Sequence, residues 1–253
     1  MSKLNQVLLD WKAGDVHGLR WFDEKGIGQR EAFSYFENGY LEKIGPGVFK
    51  RKGDGLSPYG LVRFIQEELN LKVHLAGRSA LESHGHSHYL SLGDKKLVHL
   101  LSYEIKSIPK WLMSLDKEFK IAFKKSSLLS HENFLTEVEN NGFAVKASCR
   151  ELAILEFIEN LDLSNGLETA QNYTESLVTL RKDVLQKVLE ESKSVKVKRV
   201  FLYLAEKVNI PSFKDLNLSK VDLGKGKRVI VEGGELNKKY QITVDRTYEE
   251  NPF

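Results

Sequence analysis

The chain has 253 residues, with 38 Lys and Arg against 35 Asp and Glu and a single cysteine, so it can hold one large domain or two smaller ones. Its 41% hydrophobic and 29% charged residues are ordinary for a globular protein, and a net charge of +3 does not by itself indicate a nucleic-acid partner. One cysteine excludes an internal disulfide, the polar start is atypical of a signal peptide, and no apolar run approaches the ~20 residues of a membrane helix. We therefore expect a cytoplasmic protein.

Three helices are predicted near the start of the chain. The first covers about 2–11, where apolar residues follow helical spacing. The second and third cover about 18–25 and 29–38 and flank the turn Gly26–Gly28, which offers two glycines and one apolar residue to bury. Gly39 follows the third helix, as glycine often follows a helix end.

A β-hairpin is predicted directly after these helices. Its strands cover about 40–44 and 48–52, and they flank the glycine-rich loop Gly45–Gly47. A helix-turn-helix followed by a hairpin with a basic tip describes a winged helix-turn-helix. We assign this DNA-binding fold to residues 1–55.

The rest of the chain, 56–253, is predicted to form a larger mixed domain. Ser57 and Pro58 should begin a helix, and strands about 73–147, with a hairpin turn at Asn140–Gly142, should form a small, mostly antiparallel sheet. Helices follow over about 148–208, the first with a capping box made by Ser148 and Glu151, and strands over about 227–244. The predicted class is therefore α+β.

The third helix would be the recognition helix. Its outward side is expected to carry Arg30, Glu31, Ser34, Tyr35 and Asn38, because arginine reads guanine and asparagine reads adenine. Gln29 lies at the helix start, where backbone N–H groups can bind a phosphate. Glu31 and Glu37 in the same helix argue against DNA binding, because they repel phosphate. Four hairpin cations suit contacts with DNA phosphates or with the minor groove: Lys43, Lys50, Arg51 and Lys52. The first 56 residues hold nine bases and eight acids, so we expect weak, salt-sensitive binding by a monomer, rising on neighbouring half-sites.

A second candidate surface lies in residues 193–228, where ten Lys and Arg stand against three acids. On the predicted helix over about 194–208, Lys196, Arg199 and Tyr203 should point away from the apolar stripe. This basic patch suits an acidic partner or a nucleic-acid backbone, although a merely solvated face explains it equally well. Its members are Lys193, Lys196, Lys198, Arg199, Lys225, Lys227 and Arg228.

Other motifs argue against metal binding and catalysis. His84, His86 and His88 suggest a metal site, but zinc sites on helices usually space histidines by three to five, and no nearby cysteine or paired acid completes a shell. Gly85 would also disturb a helix there, so a polar helix end is the expected interpretation. The segment from Gly77 lacks the second glycine of a nucleophile elbow, and 224–228 lacks the spacing and hydroxyl of a phosphate-binding loop. We predict no catalytic residue, no metal, no cofactor and no enzymatic activity.

Several segments resemble the AbiEi antitoxin family: MSKLNQVLLDW, ENGYLEKIGPGVFKRKGD, LAGRSALESHGHSHYLSLG, SVKVKRVFLYLAEK and LNLSKVDLGKGKRVIVEGGELNKKYQITV. The last two are the most specific. The resemblance implies a type IV toxin–antitoxin system of the kind linked to phage defence, in which a winged helix represses its own promoter by binding DNA repeats. It also implies a C-terminal domain that counters a nucleotidyltransferase toxin without a stable complex.

One departure from the family pattern concerns the recognition helix, which is often arginine-rich in this family, whereas QREAFSYFEN keeps only Arg30. By position, the resemblance transfers the DNA role to Gln29, Arg30, Ser34, Tyr35 and the basic hairpin. The basic patch falls in the segments that resemble the antitoxin domain. The alternative is a protein-interaction module whose winged helix binds no DNA.

Overall fold

In the computed structural model, which describes residues 3–86, 96–115 and 119–245, a winged helix occupies the N-terminal part of the chain. Its strands form an antiparallel sheet in the order β1-β3-β2. The elements in chain order are α1 (Lys3–Asp10), β1 (Val16–Gly18), α2 (Leu19–Glu24), α3 (Gln29–Glu37), β2 (Leu41–Gly45) and β3 (Val48–Arg51). Their shared core consists of Val7, Trp11, Phe22, Ile27, Ala32, Leu41 and Phe49.

The local signals for α2, α3 and the hairpin are found where the sequence predicts them. Gly26 and Gly39 adopt φ of +71° and +76°, conformations that side-chain-bearing residues rarely take, and Ile27 between the helices is fully buried. Strand β1 was not predicted, because three residues are too few to show an alternating pattern.

The predicted basic tip of the hairpin is wrong. The two strands turn at Pro46 and Gly47, so the tip is apolar. Lys50, Arg51 and Lys52 lie at the other end of β3, because each residue of a strand moves the chain about 3.3 Å from the turn.

A five-stranded sheet follows the winged helix, with the order β6-β5-β4-β8-β7. Strands β5 and β6 run parallel and β4 pairs antiparallel with β5. The hairpin turn joining β7 to β8 has Asn141 and Gly142 at φ of +51° and +75°, as an Asn-Gly turn favours. In chain order, this part of the protein contains the strands of that sheet and three helices: α4 (Pro58–Glu67), β4 (His74–Leu75), α5 (Gly77–Ser83), β5 (Lys96–Ser102), α6 (Lys110–Met113), β6 (Phe119–Lys125), β7 (Leu135–Asn140) and β8 (Phe143–Ser148).

Helices dominate the remainder, which ends in a small sheet of order β10-β11-β9. The elements are α7 (Arg150–Asn160), α8 (Leu163–Glu175), α9 (Lys182–Glu191), α10 (Val195–Lys207), β9 (Arg228–Val229), β10 (Glu235–Asn237) and β11 (Ile242–Val244), with short 3-10 turns at Pro211–Asp215 and Leu218–Lys220. The α+β class is confirmed. None of the helices in the described ranges combines the length and apolarity needed to span a membrane.

Helix caps were predicted with mixed success. The Ser57 side chain accepts a hydrogen bond from the Gly60 N–H, with Pro58 in the first turn of α4. The capping box at α7 is wrong, since Cys149 occupies the N-cap without a side-chain bond. Ser148 instead donates to Glu156, and Glu151 binds Arg181, because these buried polar groups find partners in other turns and helices.

The chain divides into two compact units. The first comprises Met1–Leu75, Leu92–Lys125 and Glu137–Lys146, and the second comprises Ala76–Ser91, Ser126–Thr136 and Ala147–Phe253. The predicted boundary after residue 55 falls inside the first unit and stays a prediction.

Candidate nucleic-acid interface

Helix α3 presents its N-terminal end to solvent. Gly28 occupies the N-cap and offers no side chain to cap the helix, so the first N–H groups of α3 lack intrahelical partners. Ala32 is fully buried, and the Phe33 ring packs edge-on against Phe49 with centroids 5.5 Å apart. These contacts turn Gln29 and Arg30 outward, and both are exposed.

The other two predicted contacts on α3 are half-buried and already hydrogen-bonded. The Ser34 hydroxyl accepts a hydrogen bond from Asn38 at 3.1 Å. The Tyr35 hydroxyl donates to Glu31 Oε1 at 2.5 Å and its ring packs against the core. Burial, and to a smaller extent the hydrogen bond to Glu31, raises the pKa of Tyr35 to about 12.

A shallow open groove runs along the outer face of α3. It is lined by Gly28, Gln29, Arg30, Phe33 and Glu37. The ammonium of exposed Lys43 on β2 stands 5.7 Å from the centroid of the Phe33 ring, within cation–π range. Within the described residues, neither Arg30 nor Lys43 forms an ion pair, so both charges remain available to an anionic ligand.

Two of the hairpin cations are used inside the winged helix. The Lys50 side chain is 12% exposed, and its ammonium lies 2.8 Å from Glu42 on the paired strand. That hydrogen bond and one from the Gly53 N–H lower the pKa of Glu42. Arg51 binds Asp54 at 3.0 Å and donates to carbonyl oxygens at the end of α1 and just after it. Lys52 is exposed.

A buried ionic network that the sequence does not reveal holds β1 to α4. Arg63 lies 2.8 Å from Asp15 and 3.1 Å from Glu68. Glu68 also binds His17 at 2.7 Å and accepts the Gly18 N–H at 2.8 Å. Glu68 is 51 residues from His17 and 50 residues from Gly18 in sequence, so no local motif could indicate these contacts.

The pKa of Glu68 reflects two opposing causes. Burial raises it, but the hydrogen bonds from His17 and Gly18, the attraction to His17 and the bond from Arg63 together lower it below the usual range. Glu68 is therefore held as a carboxylate that ties the start of α2 to α4.

The basic patch of residues 193–228 is only partly exposed. The structure leaves Lys193, Lys196, Lys225 and Lys227 exposed, and half-buried Arg228 donates to two carbonyls of its own turn. The expectation that Lys198 and Arg199 lie on an exposed face is wrong, since they are 2% and 3% exposed. Tyr203, which was also expected to point outward, is buried as well.

Arg199 explains the error. Its guanidinium donates to the carbonyls of Leu223 at 2.8 Å, Gly224 at 3.1 Å, Gly226 at 2.6 Å and Gln241 at 3.2 Å. The segment after α10 thus folds over the face that was expected to meet solvent. Burial lowers the pKa of Lys198 on the same helix, and the attraction to nearby Asp222 offsets part of this decrease.

The histidines near the end of α5 have ordinary partners. The Nε2 atom of His84 lies 2.9 Å from the Ser148 carbonyl oxygen, and burial lowers the pKa of His84. His86 lies 3.3 Å from the Ser176 hydroxyl, and His88 falls outside the described residues. Across the ranges that the structure describes, no three His, Cys, Asp or Glu side chains gather as a metal shell.

Comparison with known proteins gives two family matches. The family described as "Transcriptional regulator, AbiEi antitoxin N-terminal domain" matches residues 1–92. The family described as "Transcriptional regulator, AbiEi antitoxin, Type IV TA system" matches residues 95–245. No curated protein matches the chain.

A solved structure resembles the chain over most of its length. It is the crystal structure of the RV2827C protein from Mycobacterium tuberculosis, with 15% sequence identity and a TM-score of 0.60. The match covers 92% of this chain and 86% of that chain. At this identity the likeness concerns the fold alone.

Proposed function

Because the chain belongs to the AbiEi family of antitoxins and transcriptional regulators of type IV toxin–antitoxin systems, we propose that its winged helix binds duplex DNA at its own promoter and represses it. The observation that carries this proposal is the exposed start of α3, where Arg30 and Lys43 stand beside one groove and form no ion pair among the residues that the structure describes, although Glu37 also lines the groove. The role implies a cytoplasmic protein that needs no cofactor and performs no catalytic step.

The exposed residues divide into base-reading and phosphate-binding groups. Arg30 can contact guanine through two hydrogen bonds, and Gln29 either adenine or, through the helix start, a phosphate. Lys43 and Lys52 suit phosphates. Ser34 and Tyr35 would act mainly by holding α3. With so few free cations, each monomer should show a shallow salt slope, roughly −2 to −3 in log affinity against log salt, so repeated half-sites are needed for tight binding.

Promoter binding can be tested by fluorescence anisotropy with DNA from upstream of the gene. The double variant Arg30→Ala with Lys43→Ala should lose about tenfold or more in affinity and show a salt slope less steep by about two. The matched control, Lys120→Ala with Lys124→Ala, removes two exposed lysines of β6 and should bind as the unaltered chain does. Equal loss in both pairs would mean that only net charge matters.

We further propose that the part of the chain matched by the second family model counters a nucleotidyltransferase toxin from a neighbouring gene, without a stable complex. The antitoxin description of that match supports this role. The exposed part of the basic patch, Lys193, Lys196, Lys225 and Lys227, is the surface we assign to it.

Coexpression with the neighbouring toxin tests this second role. Alanine at all four lysines should abolish growth rescue while promoter binding persists. The Arg30→Ala, Lys43→Ala variant should show the opposite pattern. Point variants of the full chain are preferred to a cut after residue 55, because a cut would separate Asp15 from Arg63. Full rescue by the four-alanine variant would overturn the assignment of this surface.

A protein-interaction role for the winged helix is the second candidate. The nearly balanced charge of its first 56 residues favours it, as do the exposed aromatic side chains of Phe36 and Tyr40, 37% and 48% exposed. If the unaltered chain fails to bind promoter DNA even at low salt, and a Tyr40-dependent protein partner is captured instead, this candidate replaces DNA binding.

A further inference from the structure

The turn of the hairpin is contacted on both sides, at Gly45 and at Gly47, while Pro46 between them is exposed. A Cβ atom built on Gly45 would lie 2.6–2.8 Å from three ring atoms of Trp111 in α6, so only a residue without a side chain fits against this ring. On the other side, the Gly47 carbonyl accepts a hydrogen bond from the Leu19 N–H at 3.1 Å. The turn of the wing is therefore held between α2 and α6.

Trp111 is itself supported from behind. Its ring meets the ring of Phe64 edge-on, with centroids 6.3 Å apart. Phe64 lies on α4 and is 1% exposed. The hairpin turn thus packs at Gly45 against Trp111, which is in turn supported by Phe64, so residues outside the segment 1–55 help to hold the wing.

This packing limits what the hairpin can do. The turn is held at Gly45 and Gly47, and its exposed residue, Pro46, has no charge with which to bind a phosphate. Lys50 and Arg51 are engaged at the other end of the hairpin. The charge that the hairpin brings to the groove of α3 is Lys43, which lies on β2 close to Gly45 in sequence. Its place beside Phe33 depends on how the hairpin is oriented. The contact between Gly45 and Trp111 helps to hold that orientation at the turn, in addition to the pairing of β3 with β1.

We propose that Trp111 is a positioning residue for DNA binding, and that the hairpin acts as a brace that holds Lys43 beside α3 instead of reading DNA with its tip. The inference rests on the proposed function, since it concerns the same interface. Trp111 touches no DNA in this scheme and acts only through the hairpin.

A double-mutant cycle between Trp111 and Lys43 tests the inference on promoter DNA. Lys43→Ala should weaken binding several-fold and make the salt slope less steep by about one, the signature of a lost phosphate contact. Trp111→Ala should reproduce both changes. The double variant should bind no more weakly than Lys43→Ala alone, because a misplaced lysine has no contact left to lose. Trp111→Phe, which keeps a ring, should retain most of the affinity.

Glycine variants test the same contact from the hairpin side, also in case Trp111→Ala does not fold. Gly45→Ala places a methyl group against the ring and should reproduce the affinity and slope of Lys43→Ala. Gly55→Ala, where a Cβ meets nothing within 4 Å, should change neither. Unchanged slopes in Trp111→Ala and Gly45→Ala, or effects that multiply with Lys43→Ala, would overturn the positioning role while leaving promoter binding intact. Failure of the unaltered chain to bind would overturn both.

Discussion

Two regions of the chain carry basic residues that the sequence predicts to be exposed: the recognition helix with its hairpin, and the segment around α10. The structure shows that the exposure of these residues differs between the two regions. Around α3, Arg30 and Lys43 remain at the surface and form no ion pair with any residue in the described part of the chain. On α10, Lys198 and Arg199 are buried. The periodicity of a helix identifies its apolar stripe, but the opposite side meets solvent only if no other segment covers it.

Within each region, some basic residues bind other groups of the protein and others are exposed. In the hairpin, Lys50 and Arg51 bind neighbouring carboxylates and carbonyls, whereas Lys52 stays exposed. On α10, Arg199 binds four carbonyls, whereas Lys196 stays exposed. Exposure and hydrogen-bond partners, and not the number of cations, therefore decide which residues can meet an external ligand.

The largest expected effect concerns Arg199. Arg199→Ala removes the hydrogen bonds that its guanidinium makes to the carbonyls after α10 and empties the space of a side chain that is 3% exposed, so it should cost about 3–5 kcal/mol of unfolding free energy. Lys196→Ala changes an exposed residue three positions earlier on the same helix and should cost under about 0.5 kcal/mol. Urea unfolding of both variants measures the difference. Equal costs would show that Arg199 does not hold the segment.

An intermediate effect is expected from Glu68, which anchors the winged helix. Glu68→Gln should cost about 2 kcal/mol near pH 7, because charged hydrogen bonds to His17, Gly18 and Arg63 are lost or weakened. Since the pKa of Glu68 is lowered from 4.5, its stabilisation is present above that value and disappears as the pH falls through the lower folded pKa. Unfolding curves of the two proteins should therefore converge in acid. A gap that stays constant with pH would contradict this account.

The smallest effects separate two neighbouring lysines of the hairpin. Lys50→Ala should cost at most about 1 kcal/mol of stability, because the lysine, itself 12% exposed, loses an ion pair whose other partner, Glu42, is 43% exposed and screened by water. Lys52→Ala should leave stability within about 0.5 kcal/mol and instead lower promoter affinity about twofold to threefold at low salt. Thermal melts and DNA titrations of both variants test whether Lys50 contributes to stability and Lys52 to promoter affinity. Loss of affinity in Lys50→Ala without loss of stability would reverse the assignment.

Features that depend on neighbouring residues were predictable from the sequence. Gly26 and Gly39 mark the ends of helices because positive φ is costly for other residues. Asn141 and Gly142 mark a hairpin turn for the same reason, and Ser57 caps α4 through a bond that spans three residues. These signals, with the apolar spacing of α1 and α3, were sufficient for the winged helix and the α+β class, and they identified Arg30 as exposed.

By itself, then, the sequence determined most of the local elements, their order and the family. Helix spacing, turn glycines and the segments characteristic of the family each depend only on residues close together in the chain. Only the tertiary structure decided that Arg199 is buried, that β5 and β6 run parallel, and that Trp111 packs on Gly45. Each of these depends on groups far apart in sequence, and a pattern of apolar and polar residues records that a face is buried without recording what covers it.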